Sequence, residues 1–174
     1  MVSVPFPNNG PSKGKSFKKD LDSENSGLVP PQNIQAEESV LGGILLDPDA
    51  IGRIADLIRP EAFYINAHQE IFRTALMLHS QGKPTDLTSM SAWLADNGSL
   101  EKIGGNNKLV ELVEGVSSTA SIEQVANLIS DKFLRRQLIK SGNEVIQLGF
   151  DQTQKTDEVL DKAEQKIFEI SQEK

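Results

Sequence analysis

Glu37 and Glu38, His68 and His79, and the run from Gly10 to Ser16 are the residues whose types could do chemistry. A carboxylate pair could act as acid and base, two histidines could share a metal ion, and a glycine loop ending in Gly-Lys-Ser could cradle a phosphate. The spacing argues against each. Neighbours on a helix point ~100° apart, so Glu37 and Glu38 do not converge, and near a helix start they suit the positive end of its dipole. His68 and His79 are eleven residues apart, on nearly one helical face but ~16 Å apart along the axis, too far for one ion. They read as capping or partly buried histidines. The run Gly10-Pro11-Ser12-Lys13-Gly14-Lys15-Ser16 has three residues before its Gly-Lys-Ser, where a phosphate loop has four and follows a buried strand. Gly104-Gly105 also lacks a flanking strand and reads as a turn. No catalytic, metal or cofactor-binding constellation emerges.

Composition narrows the class further. The chain of 174 residues has 37% apolar residues and no cysteine, which suits a helical core and excludes a disulfide scaffold, a thiolate zinc site and a cysteine nucleophile. The sequence has no run of about 18 apolar residues and no apolar signal region, so a cytoplasmic protein without a membrane span is expected. Residues 1–29 carry a net charge of +1 and residues 30–174 a net charge of −8. Non-specific nucleic-acid affinity comes mostly from Lys and Arg on phosphates, so this acidic part binds DNA weakly at most. Lys132, Arg135, Arg136 and Lys140 form a local basic spot that reads as a solvated helix face.

The elements follow from periodicity and breakers. Residues 1–29 are rich in Pro, Gly, Ser, Asn and Lys and show no period, which predicts a disordered tail. After Pro30-Pro31, Asn33 caps a helix burying Ile34, Val40, Leu41, Ile44 and Leu45, with Gly42 and Gly43 admitting a close neighbour. Asp47-Pro48 predicts a restart with Asp47 as cap, leading to Ile51, Ile54, Ala55 and Ile58. Phe63 and Tyr64 anchor a turn. A third helix from about Ala67 buries Ile71, Phe72, Ala75 and Leu76; a fourth, capped by Thr85 or Asp86, buries Leu87, Met90 and Leu94; a fifth buries Leu109, Leu112 and Val113.

Two long helices end the chain. In the first, Ser121 and Gln124 form a capping box, and Ile122, Val125, Ala126, Ile129 and Phe133 share one face. Past Leu134 the apolar surface widens. Leu138, Val145 and Leu148 lie on one flank and Ile139, Ile146 and Phe150 on another, with Gly142 and Gly149 between. A helical glycine costs ~1 kcal/mol relative to alanine, so two on one face indicate another helix pressing close. The second helix follows a turn from Gly149 to Lys155 and carries a stripe of Leu160, Ala163, Ile167 and Ile170, with Val159 and Phe168 beside it. A two-helix hairpin cannot bury a third face, so it either projects and pairs with another chain or folds back on its own bundle.

The expectation is an all-α fold: about five short helices in a bundle over residues 30–118, then a protruding two-helix hairpin over 119–174 that serves as a dimerisation arm. Its interface is expected to use Leu138, Gly142, Val145, Ile146, Gly149, Phe150, Ile167 and Phe168.

An ordered series of residues carries a family resemblance. Pro30-Pro31, Ala36-Glu37, Val40-Leu41-Gly42 with Ile44-Leu45-Leu46-Asp47, Phe63-Tyr64, His68, Ile71-Phe72, Gly82, Pro84, Asp86, Gly104-Gly105 with Leu109, Thr119-Ala120, Leu134-Arg135 and Ala163-Glu164 stand in register from Pro30 to the end. The series resembles the N-terminal domain of bacterial DnaB-type replicative DNA helicases. Two departures are Asn107-Lys108 and Val125, where the family often has aromatics. The tail before Pro30 has no counterpart.

The resemblance implies a collar domain in a two-tier hexamer, built as a trimer of dimers through paired hairpins and docking the C-terminal domain of primase. ATP and Mg²⁺ would be used by a RecA-like motor domain, absent from this chain, that moves along single-stranded DNA. This stretch itself is expected to have no catalytic residue, metal or cofactor. Two rival readings remain at this stage. One is a free-standing α-helical adaptor, which the reading frame beyond Lys174 would test. The other is a small hydrolase using Glu37 and His68.

Overall fold

A computed structural model of the chain describes residues 27–116 and 120–172, and every regular element among them is helical. Five short helices come first: α1 (Ile34–Leu46), α2 (Ala50–Ile54), α3 (Asn66–Ser80), α4 (Leu87–Asp96) and α5 (Gly105–Glu114). Single 3₁₀ turns precede α3 (Pro60–Ala62) and α5 (Glu101–Ile103). Two longer helices follow, α6 (Ile122–Phe150) and α7 (Thr156–Gln172). The expected tail lies outside the described residues up to position 26; Leu28 and Val29, at its end, are exposed.

Helix α1 is the hub, because α5, α6, α3, α4 and α2 all pack on it. Asn33 caps it by accepting the Ala36 N–H at 3.0 Å, and Val40, Leu41, Ile44 and Leu45 supply the buried stripe. Gly42 admits α5 as expected: a Cβ there would overlap the Leu112 carbonyl and the Val116 side chain. The core continues through Ile51, Phe63, Phe72, Met90, Leu94 and Leu109, with the Phe63 and Phe72 rings 5.0 Å apart.

Local chemistry sets the boundaries. Asp86, of the two candidate caps, accepts the Ser89 N–H at 2.7 Å. Thr85 is buried and donates its hydroxyl to the Ile44 carbonyl. Gly104 and Gly105 turn the chain at φ 102° and 72°, a region that glycine enters without the strain a Cβ brings.

The expected restart at Asp47-Pro48 is shifted. Helix α2 begins at Ala50, with Asp49 at its cap position, because the Asp47 carboxylate closes a turn on the Asp49 N–H at 3.0 Å while its own N–H ends α1 on the Gly43 carbonyl.

Helix α6 spans both parts of the molecule. Ser121 caps it by accepting the Gln124 N–H, and Val125, Ala126 and Ile129 are buried against α1 and α2. Phe133 is the last side chain of that stripe to pack on the core. Beyond it α7 packs along α6 and makes no comparable contact with the bundle among the described residues. The hairpin therefore protrudes instead of folding back.

Candidate functional site

The two candidate chemical residues of the bundle meet, but in a closed setting. Glu37 stands three and four residues before Val40 and Leu41, so the apolar period carries it inward with them. Glu37 and His68 are 2% and 1% exposed. Glu37 Oε1 accepts the Tyr64 N–H at 2.6 Å, and Oε2 accepts the Ile65 N–H at 3.4 Å and lies 2.7 Å from His68 Nδ1. The residue before α3, Ile65, has no capping side chain, so Glu37 supplies from α1 the acceptor that the start of α3 lacks. A general acid or base must reach a substrate proton, and these atoms reach only their own chain. The pair is a tertiary cap, which removes the observation behind a hydrolase. His79 is exposed at the other end of α3, and no group of three metal-ligating side chains occurs among the described residues.

The basic spot on α6 also resolves into separate roles. Arg135 pairs with Asp131 one turn earlier at 3.0 Å. Arg136 does not belong to a solvated face: its guanidinium donates to the Pro31 carbonyl at 2.7 Å and the Ala62 carbonyl at 2.6 Å, and lies over the Tyr64 and Phe133 rings. Burial holds its pKa below the usual arginine range, opposed by Glu37 and Tyr64. The signal was present in the sequence, since Arg136 stands seven residues after Ile129 and so continues the buried stripe.

The expected interface residues lie on the hairpin. Leu138, Phe150, Ile167 and Phe168 are exposed, Gly149 is exposed, and Gly142, Val145 and Ile146 are half-buried. Gly142, Val145, Ile167 and Phe168 come together with Ala163, Glu164 and Ser171 around an open, largely apolar groove of about 600 Å³ between α6 and α7. Leu138 and Gly149 continue the same face of α6, at four before and seven after Gly142, while Ile146 and Phe150 lie on the adjoining flank. A Cβ added at Gly142 or Gly149 would meet nothing within 4 Å. Among the described residues no side chain fills the space that these glycines leave.

Helix α7 is rotated from the expected stripe. Val159, Ala163, Lys166 and Ile170 face α6, whereas Leu160 and Ile167 are exposed at 55% and 47%. Lys166 lies on the inward side: its ammonium pairs with Glu144 of α6, and its half-buried stem takes a position that periodicity reserves for an apolar residue. The pair lowers the Glu144 pKa and raises that of Lys166. A second, more polar depression between the two helices is lined by Lys140, Ser141, Glu144, Lys166 and Glu169.

The hairpin turn falls where the sequence places it, between Phe150 and Thr156. Helix α6 runs on to Phe150, and Asp151 then accepts the Thr153 N–H at 2.9 Å, the Thr153 hydroxyl at 2.6 Å and the Gln154 amide at 2.6 Å. Led by the Thr153 hydroxyl, these bonds hold the Asp151 pKa down at about 2. Asp is a common turn-former for this reason.

No described helix is long and apolar enough to cross a membrane. Comparison with known proteins agrees with the helical architecture. The family model described as the DnaB-like helicase N terminal domain matches residues 29–131. The replicative DNA helicase DnaB of Nostoc sp. is 54% identical over 88% of this chain, and that of Geobacillus stearothermophilus 40% identical over 86%. The chain spans 18% and 33% of those two proteins. The crystal structure of the N-terminal domain of DnaB helicase from Mycobacterium tuberculosis superposes with a TM-score of 0.76 at 37% identity, covering 80% of this chain and 99% of that one. A DnaB-like replicative helicase, studied for its interactions with primase, superposes with a TM-score of 0.66 at 29% identity, covering 79% of this chain and 31% of that one. On these grounds the chain belongs to the family of DnaB-like helicase N-terminal domains.

Proposed function

We propose that this chain is the collar module of a replicative DNA helicase in the cytoplasm, serving ring assembly and primase docking and carrying no catalysis of its own. The observation that supports it most is the open face around Gly142 and Gly149, where an added Cβ would meet nothing within 4 Å and the groove between α6 and α7 is largely apolar. Leu138, Gly142, Val145, Ile146, Gly149, Phe150, Ile167 and Phe168 form the self-association surface, pairing two hairpins to give dimers that close as a trimer of dimers. Glycines permit the helix axes to approach, and the flanking Leu, Val and Ile side chains supply the area.

In this reading ATP, Mg²⁺ and single-stranded DNA are handled by the motor of the whole helicase. The acidic charge of residues 30–174 fits a module that leaves DNA to another domain. Primase enters through family membership and through the likeness to a helicase studied with primase. An unrelated adaptor function has no observation in its favour.

Light-scattering mass against concentration, with and without the primase C-terminal domain, tests the proposal. A dimer or hexamer that gains the mass of bound primase is expected. A strict monomer at high concentration that ignores primase would contradict it.

A further inference from the structure

Arg136 stands where α6 leaves the bundle. Ile129 is the last fully buried residue of the helix, Phe133 is half-buried, and Leu138 and Ile139 beyond it are exposed. Between these regimes the Arg136 fork grips two separate strands of backbone, at Pro31 and Ala62. Its guanidinium also lies over one ring of the bundle and one of α6 itself, 5.5 Å from the Tyr64 ring centroid and 5.9 Å from that of Phe133. The residues it holds are themselves fixed. Glu37 binds the Tyr64 and Ile65 N–H groups, and Gln69 binds the Phe63 carbonyl at 2.8 Å.

We infer that Arg136 is a positioning residue that sets the direction in which the hairpin leaves the bundle. The inference concerns one chain and holds whether or not hairpins pair. Its physical basis is a lever. At ~1.5 Å per residue, Ile122 to Ile129 gives a base of ~10 Å, Phe133 extends it to ~16 Å and Arg136 to ~21 Å, with the tip at Phe150 ~21 Å further on. Lateral play at the end of the base is therefore magnified ~2-fold at the tip with Arg136 in place, and ~2.5- to 4-fold without it. Lysine is no substitute: an ammonium is a point charge without the planar fork, so it serves one carbonyl well and cannot lie flat on a ring.

The chain has no cysteine, so two labels can be introduced cleanly at exposed sites, Ala92→Cys on α4 and Glu158→Cys on α7. Pulsed electron–electron spin resonance on the doubly labelled chain, diluted into excess unlabelled chain to remove distances between copies, reads the spread of the arm. Arg136→Ala is expected to keep wild-type helicity by circular dichroism and to broaden the distance distribution by ~1.3- to 2-fold, the ratio of the two lever magnifications. Arg136→Lys is expected to fall between. A wild-type width in a folded Arg136→Ala chain overturns the inference. Should the alanine variant lose helicity, Arg136→Lys decides in its place, a broadened distribution supporting the pin and an unchanged one overturning it.

Discussion

Gly42 and Gly142 are the same residue in similar settings, each on an amphipathic helix with apolar neighbours, yet their surroundings are opposite. At Gly42 a Cβ would overlap the Leu112 carbonyl and Val116, because α5 crosses α1 there; at Gly142 it would meet nothing within 4 Å. The head has solved its packing within one chain, and the arm has not. The same contrast holds for charge. Glu37 and His68 pair inside the head at 2% and 1% exposure, whereas Glu144 and Lys166 pair across the hairpin in partial contact with solvent. The Gly42 gap is filled within the chain and is a folding feature, whereas the Gly142 gap is open, as the proposed pairing of hairpins requires.

The largest expected effect breaks the head alone. Glu37→Ala leaves two backbone N–H groups and His68 without their acceptor, and each buried donor left unsatisfied costs about 1 to 3 kcal/mol. Urea unfolding of the variant should show that loss, with no specific change in the affinity of folded chains for each other. Next, Gly42→Ala should destabilise the head by on the order of 2 kcal/mol through overpacking against α5.

The matching change in the arm sharpens the contrast by its sign. Gly142→Ala, unfolded at a concentration where the chain is monomeric, should be stabilised by about 0.5 to 1 kcal/mol, since helix propensity rises and nothing is displaced. A destabilisation of the same monomer would show that the gap is not open.

The smallest effect belongs to the hairpin turn. The Asp151 pKa is lowered, so its contribution is present above the ordinary carboxylate range and is lost as pH falls toward about 2. Exchange of the Thr153 amide, followed from pH 5 to pH 2, should speed up relative to the α1 amides beyond the intrinsic pH dependence. Asp151→Asn should remove that excess.

Much of this was legible in the sequence. Asn33, Asp86, Ser121 and the Gly42 approach were read from residue type and period, because caps and stripes are local signals. The all-helical bundle with a projecting hairpin followed from the same signals and from the surplus apolar flanks after Leu134. What escaped was chemistry between distant segments. Glu37 and Arg136 both occupy positions that periodicity assigns to apolar residues, yet Glu37 reads as a helix-dipole partner and Arg136 as part of a solvated face, because their partners, backbone groups at Tyr64, Ile65, Pro31 and Ala62, carry no side-chain signature. The orientation of α7 escaped for the same reason, since a wheel weighs Lys166 as polar and cannot foresee that it pairs with Glu144 on the inward side. An ionisable residue within an apolar stripe is the pattern worth heeding in such chains.

The central claim is that the open glycine face of the hairpin receives a second copy of the chain. Sedimentation equilibrium of wild type and Gly142→Leu tests it most directly. A side chain forced into a close helix crossing costs roughly 1 to 3 kcal/mol, so the self-association constant should fall by about fivefold to 150-fold while the monomer stays folded. An unchanged constant for Gly142→Leu would contradict the account.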